Sequence, residues 1–389
     1  MKPEKIKPSD VGKDSQMEKV RISPNQLLYL IILFELGSAI VIGYGMEAKQ
    51  DAWLAALIAM GVGIGLFYFV YRPIFKVYPD IPLTAILEKV FGKYLGKLLV
   101  AAYVWYFAYL ASRVLRDFGE LLLTAFLDQT PLSVVIGFML LVVMYATYLG
   151  IQSIAKSAEI LIVVIAIYLG GGISLVFFSD VLEPQNLLPF LEHGLQPLIK
   201  TVFPTALTFP FGEMVVFLMM MPLLTNPGLR VKTGILGMLI AGTLIAITTA
   251  IDIAVLGLYR ASNATFPLLL TAEKLKVGDF LEGMDAFALS MLIICGYFKI
   301  TVFFYAAVAA GTGLFGVKKG RVMIVPIGLT VIVTSIFMTS SFVEHIETGL
   351  EFVTYWIHLP LQIGIPFLIL IGIWIKKFKR DRGERLGES

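Results

Sequence analysis

The sequence is poor in the residues on which metal proteins and redox proteins depend. Among 389 residues it has a single cysteine, Cys295, and three histidines, His193, His345 and His358, which lie far apart along the chain. One thiol cannot form a disulfide within the chain, and no spacing of cysteine and histidine resembles a zinc site. We therefore expect no structural metal, no cofactor and no redox activity.

Charged residues are scarce too. They make up 15% of the chain, whereas 58% of the residues are hydrophobic, and the mean hydropathy is +0.85. A soluble domain has about 25% charged and about 45–50% apolar residues, so the composition excludes a soluble enzyme. The net charge of +3 is small and dispersed, which argues against a nucleic-acid partner. The composition is that of a polytopic membrane protein whose partner is the lipid bilayer.

Apolar stretches long enough to cross a bilayer, which takes about 20 residues in a helix, recur ten times. We predict them at residues 25–45, 53–74, 97–125, 131–150, 154–178, 198–221, 232–258, 282–314, 321–340 and 352–375. Ten spans place both termini on one side. Most of the lysines and arginines lie in the alternating segments on that side, which predicts that it is the cytoplasm. The domains are then a cytoplasmic polar arm (1–24), a ten-helix membrane domain (25–375) and a basic cytoplasmic tail (376–389).

Helix-breaking residues interrupt the first and the sixth span. Gly37 and Ser38, followed by Gly43, lie near the middle of the first span, and Pro204 and Pro210 bracket the centre of the sixth. Breaks at matching positions of two five-helix halves are typical of an inverted-repeat transporter fold. The alternative is that these residues only kink packed helices.

Unwound backbone at membrane depth can bind a ligand. Freed N–H groups suit a carboxylate and freed carbonyls suit an ammonium, so a zwitterionic amino acid would satisfy both. The predicted ligand-binding residues are those at the two breaks: Gly37, Ser38, Ala39, Ile40, Gly43, Thr208, Phe209, Phe211, Gly212 and Glu213.

Ionisable residues within the spans are the candidates for coupling, because each is costly to place in lipid. Lys299 lies near the middle of the eighth span, Glu35 precedes the first break, and Glu159 lies in the fifth span. Lys299 is interpreted as a fixed cation or a proton relay, as a structural partner of Glu35 or Glu159, or as a lysine that snorkels to the interface.

One face of the third span carries four charges. The i,i+4 spacing predicts the ion pairs Arg113–Asp117 and Arg116–Glu120. They form either a self-compensated polar face or a contact, through Arg113 and Asp117, that couples ligand occupancy to a partner subunit.

The motifs at the two breaks resemble a known family. Phe34 to Ile40, followed by glycines, is similar to the unwound segment of the amino acid/polyamine/organocation transporter superfamily, and Phe209 to Glu213 (FPFGE) is similar to the break of its sixth helix. Together with Ile22 to Gln26, the charged face of the third span and a lysine in the eighth, the pattern more specifically resembles the spore germination permease family, the B subunit of nutrient-germinant receptors. The similarity covers about residues 20 to 378.

That resemblance implies a receptor subunit in the inner spore membrane. It would bind a small germinant, such as an amino acid, and act with A and C subunits to trigger germination. The alternatives are an autonomous proton-coupled amino-acid transporter that uses Lys299 and an apolar structural anchor that binds no ligand. We expect no enzymatic activity, because the sequence has neither a nucleophile elbow nor a phosphate-binding loop.

Overall fold

The computed structural model of the protein describes residues 21–275 and 284–387. Most of the predicted cytoplasmic arm (1–24) and the end of the predicted tail (376–389) lie outside these residues. Within them the chain is helical and has no strand, apart from one isolated pairing of Ile22 with Leu224. The prediction of an all-helical protein is therefore confirmed.

Thirteen helices are numbered here in chain order. They are α1 (Pro24–Ala39), α2 (Met46–Val77), α3 (Leu83–Phe91), α4 (Lys93–Ala125), α5 (Leu132–Leu149), α6 (Ile151–Phe178), α7 (Leu195–Met219), α8 (Pro227–Leu256), α9 (Leu258–Asn263), α10 (Pro267–Lys274), α11 (Asp285–Phe315), α12 (Gly320–Phe337) and α13 (Phe342–Phe378).

Nine of these helices, within the two described ranges, are long and apolar enough to cross a membrane. They match nine of the ten predicted spans. The remaining span corresponds to α1, which has only 16 residues. The observed helices thus define a polytopic membrane protein, and a tenth crossing depends on how α1 continues after Ala39.

The ends of α1 follow from its sequence. Ser23 accepts a hydrogen bond from the backbone N–H of Gln26, whose side chain binds back to the N–H of Ser23, and Pro24 occupies the first turn. The helix stops at Ala39, and residues 40–45 form turns in which Gly45 has a φ of 70°. Because α1 is apolar on all sides, it is enclosed by its neighbours α6, α8 and α11.

Three further helices change their hydrogen-bonding pattern within the bundle. In α2, wide turns cover Phe67–Tyr71. In α7, the wide turns of Thr201–Ala206 include the extended residue Phe203, and tight turns follow over Phe211–Met219. In α13, wide turns run over Gly349–Gly364 and contain Pro360. The prolines of α7 predict its irregular turns. The irregular turns of α13 were not predicted, because residues 352–375 were expected to form an uninterrupted span.

The connections after α6 and α8 hold short helices. One turn covers Pro184–Leu187, and α9 and α10 follow α8. These segments lie at the same end of the bundle as the turns that follow α1, since α9 packs against residues Met46–Asp51.

Candidate functional site

Lys299 forms an ion pair at the centre of the bundle. Its side chain on α11 is fully buried, and its Nζ lies 2.6 Å from Oε2 of Glu213 on α7. The ammonium also lies over the rings of Phe34, at 5.1 Å, and Phe209, at 4.5 Å. The stem packs on Gly37, where an added Cβ would come within 2.6 Å of Lys299 Cδ. Lys299 therefore joins α11 to both α1 and α7 and does not snorkel.

The partner of Lys299 differs from the two that the sequence suggested. Glu159 is exposed and accepts a hydrogen bond from Gln26 at 3.2 Å, near the start of α1. Glu35 is fully buried, and both its carboxylate oxygens lack a hydrogen-bond donor among the described residues. Spacing along one chain could not identify Glu213, because it lies 86 residues from Lys299.

An inner cavity of about 50 Å³ lies beside this ion pair. It is enclosed by residues of α4, α7 and α13 and by the end of α1 with its following turn. Its lining consists of Ser38, Ile42, Leu110, Arg113, Val114, Asp117, Phe209, Glu213, Ile346, Gly349, Leu350, Thr354 and His358. It thus combines charges of both signs and hydroxyl groups with apolar walls.

A larger outer cavity of about 640 Å³ adjoins the inner one. It is lined by the turns after α1, by α7, α9 and the start of α13, and it includes Gly43, Tyr44 and Glu47. Four residues line both cavities and lie where the two adjoin: Ile42, Phe209, Ile346 and Leu350.

The residues predicted at the two breaks divide into cavity-lining and packing residues. Ser38, Phe209 and Glu213 line the inner cavity, and Gly43 lines the outer one together with Phe209. Ala39, Ile40 and Thr208 are buried, and the Thr208 hydroxyl donates to the carbonyl of Thr205 at 3.1 Å.

The predicted glycines Gly37 and Gly212 make room for side chains of the protein. Gly37 accommodates Lys299, and a Cβ at Gly212 would collide with the amide of Gln362. Phe211 packs against Gly63 and, edge to face, against Tyr44. The space beside these three residues is filled, so we assign them to packing.

The discontinuities of α1 and α7 are hydrogen-bonded to each other. Tyr44, in the turns after α1, donates its hydroxyl to the carbonyl of Ala206 at 2.7 Å. Tyr71 of α2 binds the carbonyl of Gly212 at 3.1 Å and the carbonyl of Gln362 at 2.7 Å. The single hydroxyl proton of Tyr71 therefore lies between irregular backbone of α7 and of α13, with the shorter contact to α13. Buried irregular backbone requires such a donor.

A polar cluster on α13 was missing from our sequence prediction. Tyr103 donates to the carbonyl of Leu361 at 2.6 Å, and Tyr106 lies 2.7 Å from Nδ1 of His358. Gln362 donates to the Tyr106 hydroxyl at 2.8 Å. Gln362 Nε2 also lies 3.0 Å from Nδ1 of His358. Since an amide N–H can only donate, Nδ1 accepts in this arrangement, and the neutral ring carries its proton on Nε2. The sequence signal that could have indicated this cluster is Pro360, because a proline removes a backbone donor from the tenth span and opens its helix.

The charged face of the third span is only partly as predicted. Arg116 and Glu120 form the expected ion pair at 2.8 Å, but Arg113 and Asp117 do not pair with each other. Asp117 accepts a hydrogen bond from Nε2 of the buried His345 at 2.8 Å, and Arg113 donates to the carbonyl of His345 at 2.7 Å. The prediction of an Arg113–Asp117 pair was wrong because His345 of α13 reaches Asp117 from across the bundle.

The fold and these cavities define a polytopic helical membrane protein with a polar site enclosed at the centre of its bundle. Residues 21–343 match the family described as "Spore germination protein". The chain is 40% identical over 372 residues to Spore germination protein KB of Bacillus subtilis (strain 168), with 95% of this chain and 99% of the relative covered. The chain belongs to this spore germination family.

More distant relatives carry names of the same kind. Spore germination protein B2 of Bacillus subtilis (strain 168) is 25% identical over 94% of this chain and 100% of its own length. Spore germination protein XB of Bacillus anthracis is 23% identical over 86% of this chain and 91% of its own length. The similarity to these relatives therefore extends over most of the chain.

Proposed function

We propose that the protein is the membrane subunit of a nutrient-germinant receptor, and that it binds a small germinant, an amino acid, in the inner cavity. The observation that carries this proposal is that Ser38 of α1 and Phe209 and Glu213 of α7, three residues chosen from the sequence, line one cavity. The names of the relatives support a role in germination. The signal would pass to A and C subunits in the inner spore membrane.

The proposed fold has ten crossing helices in two inverted five-helix halves, with α1 and α7 broken and both termini in the cytoplasm. Two observations support it. The chain leaves helical geometry after Ala39, and α7, the first membrane helix of the second half, contains the extended residue Phe203. The bond from Tyr44 to Ala206 joins these two regions, as expected for a site shared by both halves.

The inner cavity offers groups for both ends of a zwitterion. Asp117 and Glu213 are acceptors for an ammonium, and the hydroxyl of Ser38 lies beside them without a hydrogen-bond partner among the described residues. The walls contributed by Leu110, Val114 and Phe209 restrict the ligand to a small side chain. A ligand ammonium near Glu213 would compete with Lys299 for that carboxylate, which gives a physical route from binding to the packing of α11 against α1.

The second candidate function is a proton-coupled amino-acid transporter. The observation that favours it is the burial of Glu35, Glu213 and Lys299 in one region, because buried ionisable groups in membrane helices commonly form proton pathways. In this alternative, Lys299 would give up and regain a proton during each cycle. The receptor does not require that step.

Binding and flux measured on the same purified protein separate the candidates. The protein in detergent is screened for thermal stabilisation by each of the twenty amino acids and by glucose, and a stabilising compound is then offered, radiolabelled, to proteoliposomes with and without a pH gradient. The receptor predicts stabilisation without uptake. Uptake that responds to the gradient would establish the transporter, and no stabilisation by any compound would support the structural anchor.

A further inference from the structure

We propose that Arg113 is the carboxylate anchor of the inner cavity, so that the ligand must carry a free carboxylate. This inference rests on the proposed function and specifies which chemical group of the germinant the site recognises. Arg113 lies on α4 and lines the inner cavity, where it is half-buried. The sequence alone predicts a coupling role for Arg113 and a ligand carboxylate at the helix breaks.

Arg113 differs from the other two cations of the inner bundle, Arg116 and Lys299, because no carboxylate pairs with it among the described residues. Arg116 pairs with Glu120 and Lys299 pairs with Glu213, and Asp117 accepts its hydrogen bond from His345 and not from Arg113. Arg113, in the part of the chain that the structure describes, forms no ion pair with a carboxylate. A cation within a membrane bundle is costly unless it is paired or wet, so a ligand carboxylate would supply the missing charge.

The guanidinium has donors to spare for such a ligand. It uses one on the carbonyl of His345, at 2.7 Å, and a weaker one on the hydroxyl of Tyr109, at 3.4 Å. A guanidinium carries five N–H donors in a planar fork that matches the two oxygens of a carboxylate. The contact with His345 also fixes the guanidinium against α13 before any ligand arrives.

Two further residues of the cavity have hydrogen-bond donors that a ligand carboxylate could accept from. The hydroxyl of Ser38 is buried and has no hydrogen-bond partner among the described residues, although Ser38 lines the cavity. His358 lines it too, and its Nδ1 is occupied by Tyr106 and Gln362, which leaves the N–H on Nε2. Buried polar groups are normally satisfied, so Ser38 indicates a missing acceptor.

The groups of the cavity therefore fall into two sets. Arg113, Ser38 and His358 are donors suited to a carboxylate, and Glu213 and Asp117 are acceptors suited to an ammonium. The ligand class that matches both sets is a small α-amino acid with its carboxylate free. An amino-acid amide keeps the size and the ammonium of the acid but removes its negative charge, which makes it the discriminating probe.

The test compares acids with their amides on the purified full-length protein. Each amino acid that stabilises the parent is titrated alongside its amide against the parent and against Arg113→Gln, Arg113→Lys and Arg72→Gln. Arg72 is a matched control, because it too is half-buried and stacks on the tyrosine four residues before it, but it does not line the cavity.

We expect the amide to bind the parent at least roughly tenfold more weakly than the acid, as for the loss of a charge-assisted bidentate contact. Arg113→Gln should weaken acid binding to a similar extent and remove the preference for acid over amide. Arg113→Lys should keep part of that preference, and Arg72→Gln should bind both compounds as the parent does.

Equal affinities of acid and amide for the parent would overturn the proposal even if no Arg113 variant folds, and so would parental acid binding by Arg113→Gln. Both results leave the proposed binding function intact. If neither an amino acid nor glucose binds the parent, the proposed function itself fails, and binding of glucose alone would overturn the carboxylate anchor but not ligand sensing.

Discussion

At the scale of single residues, the main feature of the interior is the buried ion pair between Lys299 and Glu213. Sequence alone could identify Lys299 as a lysine too deep to reach the interface, since the length of the eighth span fixes its depth. It could not identify Glu213 as the partner, because that pairing depends on how α7 and α11 pack. The pair is buried, and a buried pair is costly to break but often cheap to replace as a whole.

The first prediction concerns the stability of this pair. Lys299→Met leaves a carboxylate without its counter-ion, and Glu213→Gln leaves the ammonium without one, so each change should reduce the free energy of unfolding by about 3–5 kcal/mol. The double variant should recover most of that loss. Lys156→Met, on an exposed lysine, is the control and should unfold like the parent in thermal denaturation in detergent. Additive losses in the double variant would show that the two residues do not interact.

The second prediction concerns the space beside Gly37. A Cβ there would come within 2.9 Å of Lys299 Cβ as well as close to its Cδ, so Gly37→Ala should displace Lys299 and cost about 1–3 kcal/mol of unfolding free energy. Gly65→Ala is the matched control, because no atom lies within 4 Å of a Cβ at that position. Because alanine has a higher helix propensity than glycine, Gly65→Ala should be as stable as the parent or slightly more stable. Equal effects of both changes in thermal denaturation would refute the close packing of Lys299 on Gly37.

At the scale of helices, interruptions of regular structure position the site. The turns after α1 and the irregular part of α7 follow from glycines and prolines that are visible in the sequence. The wide turns of α13 contain one proline, and their stabilisation by Tyr71 and Tyr103 could not be predicted, because Tyr103 lies 258 residues from the carbonyl that it binds. Irregular backbone can thus be predicted from local residue types, whereas its hydrogen-bond partners depend on tertiary packing.

The third prediction concerns these partners. Tyr71→Phe and Tyr103→Phe keep the rings but leave buried carbonyls of α13 without donors, so each should cost about 1–3 kcal/mol of unfolding free energy. Tyr94→Phe provides the control, because Tyr94 is 88% exposed. Thermal denaturation in detergent measures all three. If the buried and the exposed substitutions have the same effect, the hydroxyls do not hold the irregular turns of α13.

At the scale of the whole molecule, the two ends of the bundle differ. At one end the outer cavity opens beside α9. At the other, the backbone of Ile22 pairs with residues after α7, through Ile22 N–H to the carbonyl of Leu223 and Thr225 N–H to the carbonyl of Ile22, both at 3.0 Å. The distribution of lysine and arginine predicts that this tied end is cytoplasmic, and that the cavity opens away from the cytoplasm.

The fourth prediction tests that orientation. In a Cys295→Ala background, Ser262→Cys at the outer cavity should react with a membrane-impermeant maleimide added to intact cells, because Ser262 is exposed. Asn226→Cys, exposed near the tied end, should react only after the membrane is made permeable. The reverse pattern of labelling would invert the topology, and labelling of both sites in intact cells would contradict a defined orientation.

We propose that the germinant occupies the inner cavity and reaches it from the outer one. The most direct measurement is ligand-induced thermal stabilisation of Leu350→Trp, which enlarges one of the four side chains shared by the two cavities, compared with Leu368→Trp on an exposed part of the same helix. With a compound that stabilises the parent, we predict that Leu350→Trp keeps the parental unfolding temperature without ligand but gains no stabilisation, while Leu368→Trp responds as the parent does. Full stabilisation of Leu350→Trp by the same compound would contradict the account, because the ligand would then bind elsewhere.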